Sequence, residues 1–195
     1  GFCARKTTKT KADMEISLFT KCLFEFIGTL VLVLLGDGVV ASTVLKQSKG
    51  YNGGWIVITI AWGLAVMCGV LIAGPYSGAH LNPAVSVGLA VAGSFPWAYV
   101  PGYVAAQLLG GFCGAVVVYL YYKDHFDATD DPAAKLGVFC TMPAIMDKPR
   151  NLFCEVVGTF LLVFVILAIG NEQNTPEITC HDNGNVVDLF PQQNI

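Results

Sequence analysis

Four apolar runs, each about twenty residues long and almost without charge, constrain this chain more than any other feature in it. Leu23–Leu45 carries only Glu25 and Asp37, and Leu152–Ile169 only Glu155. Trp55–Ala73 and Tyr99–Tyr122 carry no charge at all. About 20 such residues in a helix cross the hydrocarbon of a bilayer. Helices satisfy every backbone polar group internally, which hydrocarbon demands. Charged residues make up 13% of the chain, against roughly 25% in soluble domains. The fold class expected is therefore an all-α integral membrane bundle in a lipid bilayer. A net charge of −3 offers no basic face for phosphates, so no nucleic-acid partner is expected. The seven cysteines show neither a CxxC pair nor zinc-type spacing. Cys22, Cys68, Cys113 and Cys154 fall in or beside apolar runs and read as small core residues.

The segments between the runs set the organisation. Residues 1–22 are polar and basic, and the membrane domain occupies 23–170. Pro83–Gly93 is apolar but too short to cross, so it reads as a re-entrant half-helix or a buried helix. Lys46–Gly54 reads as a polar turn and Lys123–Arg150 as a long polar loop. Residues 171–195 read as a disordered polar tail. Arg5, Lys6, Lys9, Lys11 and Lys21 precede the first span and favour a cytoplasmic N-terminus. The Lys46–Gly54 and Lys123–Arg150 segments are then external. Asp124, Asp127, Asp130 and Asp131 lack the glycine and terminal glutamate of a calcium loop, so no metal is expected there.

The chain repeats itself. Glu25-Phe-Ile-Gly28-Thr29 opens one run and Glu155-Val-Val-Gly158-Thr159 another, 130 positions later (155 − 25). Three spans per repeat turn the second copy over in the membrane, the inverted-repeat plan of many transport folds. Glu25 and Glu155 each lie one turn inside an expected helix. A carboxylate in hydrocarbon costs at least a few kcal/mol, so it finds donors. Two readings of each stand: an acceptor for irregular backbone buried beside it, or an interfacial acid favoured by the helix dipole.

Ser77-Gly78-Ala79-His80-Leu81-Asn82-Pro83-Ala84-Val85-Ser86 carries the most chemistry. Pro83 suits the first position of a helix. Asn82 then falls at the N-cap, where its oxygen accepts from the first turn and its amide NH2 is left to donate outward. The positive end of the half-helix points the same way. Gly78 and Ala79 have almost no side chain, so their backbone can run extended and present carbonyls to a narrow cavity. Carbonyl acceptors ending in a fixed donor suit small hydroxylic solutes, and the positive helix end opposes cations and protons. A capped turn entering a buried helix is the plainer alternative.

This segment resembles the first Asn-Pro-Ala loop of the major intrinsic proteins. Glu25-Phe-Ile-Gly28-Thr29, Ala106-Gln107-Leu-Leu-Gly110 and Glu155-Val-Val-Gly158-Thr159 resemble the family's first-, third- and fourth-helix motifs. The resemblance covers about residues 20–172. Trp62-Gly63-Leu64 and the long Lys123–Arg150 loop resemble the glycerol-facilitator branch. The resemblance implies a passive channel for glycerol, other small polyols and water, with no cofactor and no enzymatic activity, assembled as a homotetramer. It places Trp62, Gly78, Ala79, His80, Leu81, Asn82, Pro83 and Ala84 at the pore. Glu25, Gln107 and Glu155 would brace the pore loops. A flat tryptophan can also pack on the carbon chain of a polyol while donors opposite bind its hydroxyls, although membrane tryptophans mostly anchor at interfaces. Trp55 fits that anchoring role better, because Trp62 lies mid-run. Gly110 and Gly114 form a small-xxx-small pair suited to close helix packing.

The chain departs from the family in one respect. The family has six spans and a second Asn-Pro-Ala loop followed by an arginine. This sequence holds one Asn-Pro dipeptide, Asn82-Pro83, and no Lys or Arg after Arg150. The expectation is a chain incomplete in its C-terminal half: a fragment, a frameshifted product or a natural truncation. A non-conducting subunit that assembles with, or interferes with, a full-length channel is the alternative function. A membrane enzyme is disfavoured, because no base, nucleophile or metal ligands converge.

Overall fold

The computed structural model describes residues 16–170, which form seven α-helices and one 3-10 turn. The expected disordered tail and most of the basic N-terminal segment lie outside the described residues. Four helical segments are long and apolar enough to cross a membrane: Leu18–Val44 (α1), Gly54–Ser77 (α2), Trp97–Tyr121 and Lys148–Ile169. The third of these is the 3-10 turn Trp97–Tyr99 continued by Val100–Tyr121. A half-length helix, Pro83–Val91 (α3), lies between the second and third. We number Val100–Tyr121 as α4, Lys123–Ala128 as α5, Pro132–Gly137 as α6 and Lys148–Ile169 as α7.

The first span begins earlier than its apolar run. Leu18 rather than Leu23 opens α1, because the Ser17 hydroxyl accepts from the N–H of Thr20 at 3.2 Å. This cap satisfies a donor that would otherwise be orphaned at the helix start. The same shift puts Glu25 two turns into its helix rather than one. α2 also outlasts its apolar run: it continues through Pro75 to Ser77 and ends at Gly78. Gly78 adopts φ 85°, a left-handed C-cap that costs glycine little, and its N–H closes on the Gly74 carbonyl at 3.2 Å.

α1 sits at the centre of the described bundle, packed on α2 along one side and α4 along another. The approach on the α4 side is very close. A Cβ on Gly110 would overlap the carbonyl oxygen of Phe26, and one on Gly114 would lie 2.7 Å from that of Leu30. The small-xxx-small pair read from sequence is thus the seam where two backbones touch. α3 packs on α4 and α7. A Cβ on Gly88 of α3 would lie 2.6 Å from Cγ1 of Val163.

The 123–150 segment departs from the polar loop expected. It holds α5 and α6, and Phe126 of α5 and Val138 at the end of α6 pack against Ala41, Leu45 and Val118 at the ends of α1 and α4, with Thr129 also buried. Both backbone groups of Lys46 are captured there. Its N–H donates to Thr129 Oγ1 at 2.9 Å, and its carbonyl accepts from His125 Nδ1 at 3.1 Å. The aspartates dominate the local composition, but the apolar residues between them supply the packing.

The repeat in the sequence has a counterpart in the helix starts. α1 and α7 begin 130 positions apart (148 − 18), with Ser17 and Asp147 capping the third helical N–H of each. Their environments differ, because α7 has no buried residue among the described chain.

Candidate functional site: the Glu25-anchored half-helix entrance

The chain reverses between α2 and α3 through Gly78–Asn82, and a single carboxylate organises the reversal. Glu25 is wholly buried. Its Oε1 accepts from the Ser77 hydroxyl at 2.6 Å and the His80 N–H at 2.9 Å. Its Oε2 accepts from the Leu81 N–H at 2.7 Å and from Gln107 Nε2 at 2.8 Å. The four bonds use the acceptor capacity of a carboxylate, which is what allows this group to be buried in a membrane helix. Of the two readings open for Glu25, the bracing one describes its surroundings.

The neighbours of this carboxylate extend the network. Tyr103 is fully buried and donates its hydroxyl to the Ser77 carbonyl at 2.7 Å. Gln107 Nε2 also reaches Ser86 Oγ at 3.1 Å, and Ser86 Oγ lies 3.0 Å from His80 Nδ1. The His80 ring packs edge-on against Phe95, with centroids 4.5 Å apart, and tilts against Tyr103 at 4.9 Å. Sequence reading named Ser77 and Ser86 only as the ends of the motif, without a role, and did not single out Tyr103 or Phe95. Ser86 lies one helical turn from Asn82, and Tyr103 one turn from Gln107 on the same face of α4, so helical spacing from the motif residues is the signal that could have found two of them.

The backbone is not extended here. Ala79 and Leu81 take φ 51° and 53°, and Gly78 takes 85°. Left-handed conformations are costly for residues with a Cβ and persist only where the surroundings hold them. Here Glu25 holds the N–H groups of His80 and Leu81. The carbonyls of Gly78, Ala79, His80 and Leu81 receive no hydrogen bond from the described residues. The four N–H groups of Gly78–Leu81 are thus all spent, while their four carbonyls have no partner among the described residues.

Leu81 is held from its other end as well. Its side chain is 7% exposed and wedges between α1 and α2. A Cβ on Gly28 would lie 2.6 Å from Leu81 Cδ2, and one on Gly69 would lie 2.8 Å from Cδ1. The Leu81 side chain therefore belongs to the helix crossing, and only its carbonyl stands with those of Gly78 and Ala79. Asn82 caps α3 as its position implied: Oδ1 accepts from the Ala84 N–H at 2.8 Å, with Pro83 at the first helical position. Its Nδ2 donates to no described residue.

Trp62 lies on α2 away from this loop, half-buried against Gly36 of α1. Glu155 is placed differently from Glu25. It is exposed in α7, two turns rather than one into the helix, and accepts no hydrogen bond from the described residues. α7 packs on α3, and no described backbone N–H donates to Glu155 as those of His80 and Leu81 donate to Glu25.

Spanning helices packed with a half-length helix, entered through a loop hydrogen-bonded to a buried carboxylate, define an all-helical membrane bundle. The family model described as Major intrinsic protein matches residues 13–184, and this chain belongs to that family. It is 57% identical over 148 residues to a probable glycerol uptake facilitator protein of Thermotoga maritima, covering 76% of this chain and 63% of that one. It is 52% identical to the glycerol uptake facilitator protein of Bacillus subtilis, covering 77% of this chain and 55% of the relative. The solved structure of the aquaglyceroporin from Plasmodium falciparum superposes with a TM-score of 0.55 at 39% identity, over 60% of this chain and 48% of that one. The chain thus spans roughly three-fifths of the length of these curated relatives.

Proposed function

We propose that this chain forms part of a passive channel for glycerol and similar small neutral polyols, and for water, driven by the solute gradient. The observation that carries the proposal is the row of carbonyls from Gly78 to Leu81, open because Glu25 takes the adjoining N–H groups. Such a row offers successive acceptors to a hydroxylic solute, and the Asn82 amide at the end of α3 offers a donor. The positive end of α3 beside it disfavours cations. Trp62 supplies an apolar wall for the carbon chain of the solute. His80 lines the pore, with Pro83 and Ala84 opening the half-helix behind Asn82. Glu25 and Gln107 brace the loop, and Glu155 braces a second loop supplied by the other half of the pore.

The relatives named as glycerol facilitators support this choice of solute. The protein lies in the plasma membrane with its N-terminus cytoplasmic, by the basic residues before α1, and works as a homotetramer like the family it belongs to. The test is a chimera that joins residues 1–170 to the part of the Thermotoga maritima relative that follows its fourth span, reconstituted in liposomes. Stopped-flow swelling should give glycerol permeability well above that of empty liposomes, with sucrose excluded. In the same chimera Trp62→Phe should reduce glycerol flux more than water flux. Equal losses of both would remove Trp62 from the filter.

A further inference from the structure

Gly36 and Trp62 meet where α1 and α2 pass each other. A Cβ built on Gly36 would lie 2.5 Å from Cζ3 of the indole and 2.6 Å from both Cε3 and Cη2. These are three consecutive atoms of the six-membered ring. Near-equal distances put the added methyl over the flat of the ring, since an in-plane approach to Cζ3 would leave its two neighbours clearly farther away. The indole therefore lies flat on the bare Cα of Gly36. The Nε1 edge belongs to the five-membered ring, on the far side from these atoms, and donates to no described residue.

Parting the helices to release the ring would open a close backbone contact between them. Two turns earlier in α1, a Cβ on Gly69 of α2 would lie 3.0 Å from the Gly28 carbonyl, so the two backbones already touch there. The antiparallel run from that contact leads from Gly28 to Gly36 on one helix and from Gly69 back to Trp62 on the other. Glycine contact sets the helix separation at one level, and the indole occupies the gap at the next.

We propose that Gly36 is a positioning residue for Trp62: its missing side chain sets how far the indole projects from α1 and thereby the preference for polyol over water. This rests on the filter role of Trp62. A methyl at position 36 must push the ring from 2.5 Å towards the 3.4 Å of ordinary contact. The ring then advances on whatever passes its free face. A glycerol carbon chain is thicker than a water molecule, so the polyol loses passage first.

The test uses the same chimera with Gly36→Ala, Trp62→Phe and the double variant, reading glycerol and water permeability per inserted protein. Gly36→Ala should lower the glycerol-to-water ratio by about threefold or more, as overpacking a tight contact displaces the movable partner. In the Trp62→Phe background, whose ring is smaller, Gly36→Ala should cause no further fall. An unchanged ratio in Gly36→Ala, or the same fractional loss in both backgrounds, overturns the proposal while leaving Trp62 in the filter. A Gly36→Ala protein that fails to insert overturns it too, because only the ring is required to move. If Trp62→Phe leaves the ratio unchanged, the filter role falls and the proposal falls with it.

Discussion

The N–H of Leu81 donates to Oε2 of Glu25 at 2.7 Å, and the residue so held has φ 53°. A branched side chain in a left-handed conformation costs of order 1–3 kcal/mol. The bond to Glu25 and the burial of Leu81 between Gly28 and Gly69 offset it. Without either restraint the N–H groups of the loop would turn back towards its carbonyls, and the open row of acceptors would be lost.

Glu25→Gln tests the first restraint. An amide keeps the shape but replaces one acceptor oxygen by a donor facing N–H groups. Leaving a buried N–H group without its acceptor should cost about 1–3 kcal/mol. The chimera bearing it should unfold at clearly lower temperature in detergent and lose glycerol flux. A protein of unchanged stability would mean that the loop holds itself.

Leu81→Ala tests the second. The leucine fills the notch where α1 and α2 cross, so truncation leaves a cavity and should destabilise by about 2–5 kcal/mol. Leu81→Met should cost less than about 1.5 kcal/mol, because volume is nearly kept. Thermal unfolding of both variants distinguishes a packing role from a merely conformational one, for which the two would cost the same.

Asn82→Asp separates the cap from the pore. Aspartate caps a helix as well as asparagine does, so the bond from the Ala84 N–H survives and stability should change by less than about 1 kcal/mol. The free Nδ2 donor is replaced by a charged acceptor. Glycerol flux should fall and cation exclusion weaken, measured as glycerol swelling and as ion conductance in the same liposomes. Unchanged permeability would leave Asn82 as a cap only.

Orientation can be read by thiol labelling in a cysteine-free background. Asp130 lies beyond α5 with a side chain 92% exposed. Ser94 is exposed at the other end of the bundle, between α3 and α4. A cysteine at position 130 should react with an impermeant reagent added outside, and one at 94 only after permeabilisation. The reverse pattern would invert the topology.

Residues 1–195 by themselves should insert in membranes without forming a selective glycerol pore. α7 buries none of its residues, and Glu155 has no hydrogen-bond donor among the described residues. A carboxylate so placed costs a few kcal/mol in hydrocarbon. Liposomes holding only this polypeptide should swell in glycerol no faster than empty ones. Rapid swelling with sucrose excluded would show that the carbonyl row of one half suffices.

Local chemistry was legible in the sequence. Run length located the spans, because hydrocarbon thickness sets helix length whatever the partners. Pro83 and Asn82 marked the start and cap of α3, because capping depends on neighbours in the chain. Gly110 and Gly114 marked a packing seam, since only small residues let backbones touch. Tertiary structure decided the rest. Glu25 and Glu155 open the same motif, yet one is buried under four donors and the other is exposed. Their difference lies in what packs beside each helix, which no local pattern encodes. The apolar residues of the 123–150 segment found a core only because the ends of α1 and α4 stand beneath them. The left-handed turn at Ala79 and Leu81 and the indole seated on Gly36 likewise depend on contacts between residues far apart in the chain. Sequence specified which groups could be buried or bonded; which of them were depended on the distances that folding brought to contact.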